Sequence, residues 1–215
     1  MLTCKTQTNL VNAETYFDEH LRVGDSIGQY YAQDGQTLGK WHGLGAEKLG
    51  LSNTIGRENF LQLCRNVNPE NGERLTQRQK SARFENGHEV ANRRIFFDFT
   101  FSPPKSVSVM ALVAQDKRLV EAHDRAVGTA LNELEQFAAT RVHEGGQISD
   151  RMTGNIIAAT FRHDTSRALD PHLHTHCILF NATFDDVEKR WKAMDNFEML
   201  RAQKYVENVY WPFND

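Results

Sequence analysis

Cysteine is scarce in this chain of 215 residues: only Cys4, Cys64 and Cys177 occur, an odd total with no CxxC spacing. That excludes a disulfide framework and a cysteine-built zinc site. It favours reduced thiols in a cytoplasm, each serving as a small buried hydrophobe. Long apolar runs are missing too. Nothing approaches the roughly 18 consecutive apolar residues of a spanning helix, so no membrane insertion is expected. Met1-Leu2-Thr3-Cys4-Lys5 has neither the apolar stretch nor the small-residue cleavage site of a secretory signal. Positive charge is also in short supply. A formal net charge of −3 gives no global support for nucleic-acid binding, which draws affinity from basic surface. One local exception, Arg65 to Arg94, sets Arg65, Arg74, Arg78, Lys80, Arg83, Arg93 and Arg94 against Glu70, Glu73, Glu85 and Glu89. Such a run reads equally as a solvated polar loop. Internal repeats, low-complexity tracts and the HExxH pattern of zinc proteases are absent.

What is present fits one soluble globular domain over residues 1–215, with 40% hydrophobic and 25% charged residues. Leu2 to Thr8 reads as a strand. A helix capped by Asn12 starts the sequence Ala13-Glu14-Thr15-Tyr16-Phe17. Glycines from Gly24 to Gly45 punctuate a loop-rich region holding Tyr30, Tyr31 and Trp41. Further helices are predicted for Ser52–Cys64, for Pro104–Ala114 (Ser102 capping, Pro103 at the first position), for Lys117–Val142 and for Phe197–Val209. Strands are predicted at Ile95–Phe101, Gly154–Phe161, Leu173–Phe180 and Trp191–Met194, and residues 66 to 94 read as a long loop or hairpin. The fold class expected is α+β, a central antiparallel sheet with helices on one face.

His174-Thr175-His176 sits in an apolar strand. Side chains at i and i+2 share a face, so the two imidazoles project together with Ile178 and Phe180. His163, at the end of the preceding strand, adds a third nitrogen if the two strands pair. His172 is expected off that face. Three nitrogens with open positions suit a divalent metal that polarises phosphate oxygens or activates water. His20, His42, His88, His123 and His143 read as hydrogen-bonded histidines. Asp98, flanked by Phe97 and Phe99, is costly to bury unless paired.

Beyond these patterns, several blocks carry a family resemblance: Phe161-Arg162-His163-Asp164-Thr165-Ser166-Arg167, Asp170-Pro171-His172-Leu173, Tyr30-Tyr31-Ala32-Gln33-Asp34-Gly35, Gly43 to Leu51, and Asp98 to Ser108. Together they resemble the conjugative relaxases of the TrwC/TraI type, the MobF class of the HUH endonucleases. The resemblance implies a relaxase palm that nicks and rejoins one DNA strand at an origin of transfer through a 5′-phosphotyrosine. It implies His163, His174 and His176 as ligands of Mg²⁺ or Mn²⁺, with Zn²⁺ or another transition metal as a substitute. Tyr16 matches the principal nucleophile, Tyr30 or Tyr31 the second, and Asp98 the aspartate beside the metal and the nucleophile. That aspartate either accepts the phenol proton or orients a ligand histidine. Lys105, Arg162 and Arg167 are candidate phosphate contacts or surface charges; Trp41 and Tyr31 can stack on bases or pack.

The partners implied are single-stranded or supercoiled DNA at the origin, accessory relaxosome proteins and a coupling protein, acting on a monomer in a bacterial cytoplasm. Two departures stand out: Phe17 replaces the second of two adjacent tyrosines, and Leu21–Gln29 looks inserted. Family domains also continue beyond Asp215, so a C-terminal truncation is expected. Competing expectations are a rolling-circle replication initiator, a non-catalytic single-strand-binding remnant and an unrelated zinc hydrolase.

Overall fold

The computed structural model describes residues 1–17, 39–52, 54–77, 83–85, 88–90, 93–166 and 168–211. In chain order the elements are β1 (Leu2–Gln7), α1 (Leu10–Tyr16), β2 (Lys40–His42), α2 (Leu44–Lys48), α3 (Arg57–Cys64), β3 (Arg83–Glu85), β4 (His88–Val90) and β5 (Phe96–Phe101). There follow α4 (Lys105–Leu112), α5 (Lys117–Glu135), β6 (Ala139–Glu144), β7 (Gln147–Met152), β8 (Ala158–Thr165) and β9 (Pro171–Phe180). The chain continues with β10 (Thr183–Asp185), β11 (Arg190–Lys192), β12 (Met194–Asp195), α6 (Phe197–Arg201) and α7 (Gln203–Tyr210).

Five strands form the central sheet in the order β1-β5-β9-β8-β2, every neighbouring pair antiparallel. The expected α+β class is what the chain adopts. Its helices, however, cover both faces rather than one. Phe97, Phe99, Phe101, Cys177 and Leu179 pack with Ala126, Val127, Ala130, Leu131 and Leu134 of α5 and with Val206 and Tyr210 of α7. On the other side Phe96, Phe161, Ile178 and Phe180 pack with Ala13 of α1, Phe17, and Phe60, Leu63 and Cys64 of α3. The reason is in the strands: β5 and β9 are apolar at both parities, so each face needs a cover.

Several boundaries differ from the sequence expectation. The α1 cap is Asn9, whose Oδ1 accepts the Asn12 N–H at 3.1 Å, and α3 starts only after Gly56. Pro104 occupies the N-cap of α4; Ser102 is instead tied to the Met1 backbone (N to O, 3.0 Å), because the β1–β5 ladder runs on to that point. Helix α5 stops at Glu135, and Ala139 to Glu144 form a strand paired with β7. Thr140 and Val142 are β-branched, and the Gly145-Gly146 turn (φ 58° and 78°) returns the chain for pairing. The predicted C-terminal helix divides at Ala202 into α6 and α7. Strand β8 extends to Thr165, so His163 lies inside a strand rather than at its end. The polar stretch does hold a hairpin, β3 with β4.

The glycine-rich block at residues 43–51 makes a close approach. A Cβ on Gly43 (φ 99°) or Gly45 would lie 2.5 or 2.6 Å from the Ile156 carbonyl oxygen. Only glycine lets α2 sit there. The buried Glu135 carboxylate closes the junction, accepting N–H bonds from Leu44 (2.8 Å) and Ile156 (2.9 Å).

Candidate metal and tyrosine site

Strands β5, β8 and β9 bring the site together through register. His163 stands directly opposite His174, and His176 lies opposite Phe161 on one side and Thr100 on the other. Asp98 pairs with Ile178. Residues opposed in an antiparallel pair point to the same side, so His163, His174, His176, Asp98 and Thr100 share the face covered by α1. That face is apolar at Phe96, Ile178 and Phe180 and turns polar from Asp98 onward.

The ring centroids of His163, His174 and His176 are separated by 5.2, 5.3 and 5.1 Å, with interplanar angles of 43°, 70° and 74°. Imidazole nitrogens about 2.1 Å from one ion would set ring centroids about 5 Å apart, so the spacing fits. Among the described residues the donor atoms are not drawn together into a ready-made metal-holding group. Two of the rings are already oriented. His174 donates from Nδ1 to the His172 carbonyl at 2.9 Å, and His176 Nδ1 lies 3.0 Å from both Asp98 oxygens. Each arrangement would leave Nε2 to serve a metal, the usual support for a ligating histidine. Burial pushes the His174 pKa down to about 4, keeping its imidazole neutral near pH 7, the form a metal would need.

Tyr16, the last residue of α1, hydrogen-bonds from its hydroxyl to Asp98 Oδ2 at 2.5 Å and lies 3.3 Å from His176 Nδ1. Asp98 is 6% exposed. Burial raises its pKa, but the hydrogen bond and charge of His176, with the hydroxyls of Tyr16 and Thr100, outweigh that and hold it below the ordinary value. The paired acid anticipated between two phenylalanines is therefore found. Thr100 was missed from sequence. Its hydroxyl sits 3.2 Å from both Asp98 Oδ1 and His176 Nδ1; the signal available was its i+2 spacing from Asp98. Phe17 is core, 5.0 Å from Phe60 and 6.1 Å from Phe161 between ring centroids.

His172 corrects an expectation. It has the same parity as His174 and His176, so it shares their face, its ring 4.7 Å from His174 and tilted 35° to it. It lies beside the outermost ligand candidate. Lys105 is exposed and donates from Nζ to the Pro171 carbonyl at 2.8 Å. Arg162 points to the α5 side, away from the three histidines, in an ion pair with Asp124. Trp41 packs on Phe180 at 6.1 Å. His123 is fully buried between Tyr210 Oη (2.9 Å) and Thr175 Oγ1 (2.8 Å), as a core histidine. Tyr30, Tyr31 and Arg167 lie outside the described residues. Cys64 and Cys177 are buried and Cys4 half-buried, as small hydrophobes should be.

Three clustered imidazoles next to a phenol on a buried carboxylate define the class of site: a candidate metal centre paired with a tyrosine. The chain belongs to the TrwC relaxase family, whose model matches residues 11–212. Multifunctional conjugation protein TraI of Escherichia coli strain K12 is 36% identical over 196 residues, covering 88% of this chain and 10% of TraI. A conjugative relaxase TrwC structure, metal-bound and in complex with oriT DNA, matches with TM-score 0.78 and 33% identity over 98% of this chain and 66% of that one. A copper-bound TrwC complex with oriT DNA gives 0.80 and 35%, over 98% of this chain and 67% of that one. The chain thus spans about a tenth of the curated TraI sequence and two thirds of the solved TrwC chains.

Proposed function

We propose that this protein nicks and rejoins one strand of DNA at an origin of transfer during conjugation, through a covalent phosphotyrosine. One observation carries the proposal: the Tyr16 hydroxyl rests on Asp98 at 2.5 Å, and the same carboxylate holds His176, one of three clustered histidines. In this scheme the Tyr16 oxygen attacks the scissile phosphorus while its proton passes to Asp98. The P–O3′ bond breaks, leaving a 5′-phosphotyrosine and a 3′-hydroxyl that takes its proton from solvent. Bond exchange leaves the reverse attack, and so rejoining, open. A phenol with an ordinary pKa near 10 needs such an acceptor at neutral pH.

His163, His174 and His176 would hold a divalent ion, which when bound supplies Lewis acidity toward a phosphate oxygen. Mg²⁺ or Mn²⁺ is the proposed physiological ion, while three imidazoles bind later transition metals more tightly. Tyr30 or Tyr31 is the proposed second nucleophile, and Lys105 and Arg167 contact DNA backbone. Accessory proteins and a coupling protein, a monomeric state and a cytoplasmic site of action follow from the same proposal. No described helix is long and apolar enough to cross a membrane.

The nucleophile preceding the histidines in the chain favours a relaxase over a rolling-circle initiator. The test is incubation with single-stranded oligonucleotides carrying the cognate origin, with Mg²⁺ or Mn²⁺, followed by a denaturing gel. A covalent adduct with the wild type, absent in Tyr16→Phe, is expected. Binding without adduct under every metal tried would sink the catalytic proposal and leave a strand-binding protein.

A further inference from the structure

Strand β9 carries two of the three histidines, but β5 does not run alongside both of them. The β5–β9 ladder ends with Phe101 opposite Thr175, so His176 lies between two strands and His174 beyond the end of one. The sequence explains the stop. After Ser102 come Pro103 and Pro104, which have no N–H to give a ladder, and α4 begins at the next residue. Its first turn then meets the backbone of β9 on that side. Ser108 Oγ accepts the Leu173 N–H at 3.2 Å, and Lys105 Nζ donates to the Pro171 carbonyl at 2.8 Å. Lys105 and Ser108 are three residues apart, so they share one face of the helix. The Lys105 contact is exposed, whereas Ser108 and Leu173 are fully buried. A buried N–H needs a partner, so the Ser108 bond is the one that fixes the strand. On the other side of His174, Thr175 is pinned by the ladder to Phe101 and by His123 Nε2, 2.8 Å from its hydroxyl.

We propose that Ser108 is a positioning residue for His174, acting through the backbone of Leu173, and that the first turn of α4 stands in for β5 along this stretch. Strand β9 is thereby clamped at 173 and at 175, on either side of the candidate ligand. From that fixed stretch His174 projects toward His163 and His176, its ring already turned by the Nδ1–H bond to the His172 carbonyl. Without the Ser108 hydroxyl the Leu173 N–H is left buried and unpaired, and the strand must shift to find it another acceptor. His176 is spared, because β5 and Asp98 hold it independently. The clamp stands on geometry alone; its consequence for metal rests on the proposed role of His174 as a ligand.

The test compares two variants of the whole chain. Ser108→Ala removes the hydroxyl at nearly constant size, while Ala111→Gly weakens the same helix at a buried position and keeps the Ser108 bond. Ser108→Ala should lower Mn²⁺ affinity, measured by calorimetry, about tenfold. The Mn²⁺ concentration giving half-maximal nicking should rise by the same factor, with the rate at saturating Mn²⁺ close to wild type. Ala111→Gly should lower the urea midpoint at least as much and leave Mn²⁺ affinity unchanged. In metal-free protein the His174 Nδ1–H signal of a ¹H–¹⁵N spectrum, assigned by its loss in His174→Gln, should broaden in Ser108→Ala and stay sharp in Ala111→Gly. Unchanged affinity in Ser108→Ala, or equal loss in both variants, overturns the proposal and reduces Ser108 to packing. If wild-type protein binds no Mn²⁺, the metal reading fails on its own account, and the His174 signal still decides the clamp.

Discussion

Four side chains at the end of α1 and on β5 and β9 share one set of hydrogen bonds: Tyr16, Asp98, Thr100 and His176. Their chemistry depends on keeping the two oxygens of Asp98 turned to different partners. Asp98→Asn keeps the shape but removes the proton acceptor, so single-turnover nicking should fall by about 10²- to 10⁴-fold. Mn²⁺ affinity in the same variant, measured by calorimetry, should fall by about 10- to 100-fold, because His176 loses its anchor. Thr100 acts through Asp98, which makes it a positioning residue. Thr100→Val should slow nicking about tenfold with little change in KM, and Thr100→Ser should restore it, since only the hydroxyl matters. Equal loss in Val and Ser variants would assign Thr100 to packing instead. The thiols stay out of this chemistry: burial pushes Cys4 up to about 12 and the buried Cys64 and Cys177 up as well.

Among the elements, the two that changed identity are the most instructive. Residues 136–142 continue the apolar rhythm of α5, yet Thr140 and Val142 pair with Arg151 and Ser149 on β7. Local pattern could not choose there, because a sheet partner some ten residues downstream outweighs helix propensity. Helix α2 depends on a contact with Ile156, more than a hundred residues away, and the glycines at 43 and 45 are legible as needed only once that neighbour is known. Gly45→Val should therefore destabilise the fold by about 2–4 kcal/mol in urea unfolding, with an unchanged m-value. Leu131→Ala, at a fully buried position of α5, should cost a similar amount, about 2–5 kcal/mol.

For the whole molecule, acid stability follows from the histidines that fold neutral. Burial first, then the nearby Arg162 charge, pushes His123 down to about 3, against an ordinary value near 6.5. Between those values the unfolded chain binds a proton that the folded chain refuses, so stability rises with pH across the window and falls as pH drops from about 6.5 toward 3. The loss at His123 is about 3–5 kcal/mol, and His174 adds to it in the metal-free protein. Urea midpoints measured from neutral to acid pH should decline, and His123→Gln should flatten that decline. An equally steep fall in the variant would place the acid sensitivity elsewhere.

The i, i+2 spacing of His174 and His176, the cost of an acid between phenylalanines at Asp98, and the collinear motif blocks were all legible in the sequence, because each rests on strand alternation or on local residue chemistry. His163 as a third member depended on a pairing the sequence could only suppose, and the His163–His174 register supplies it. His172 was assigned to the wrong face although its parity was in plain view, while Thr100 became meaningful only when β5 lay against β9. Arg162 went the other way, adjacent to His163 in sequence and on the opposite face in space. Which side chains meet across a sheet is set by long-range pairing and by which helix covers each face, and those are properties of the folded chain rather than of any local stretch of it.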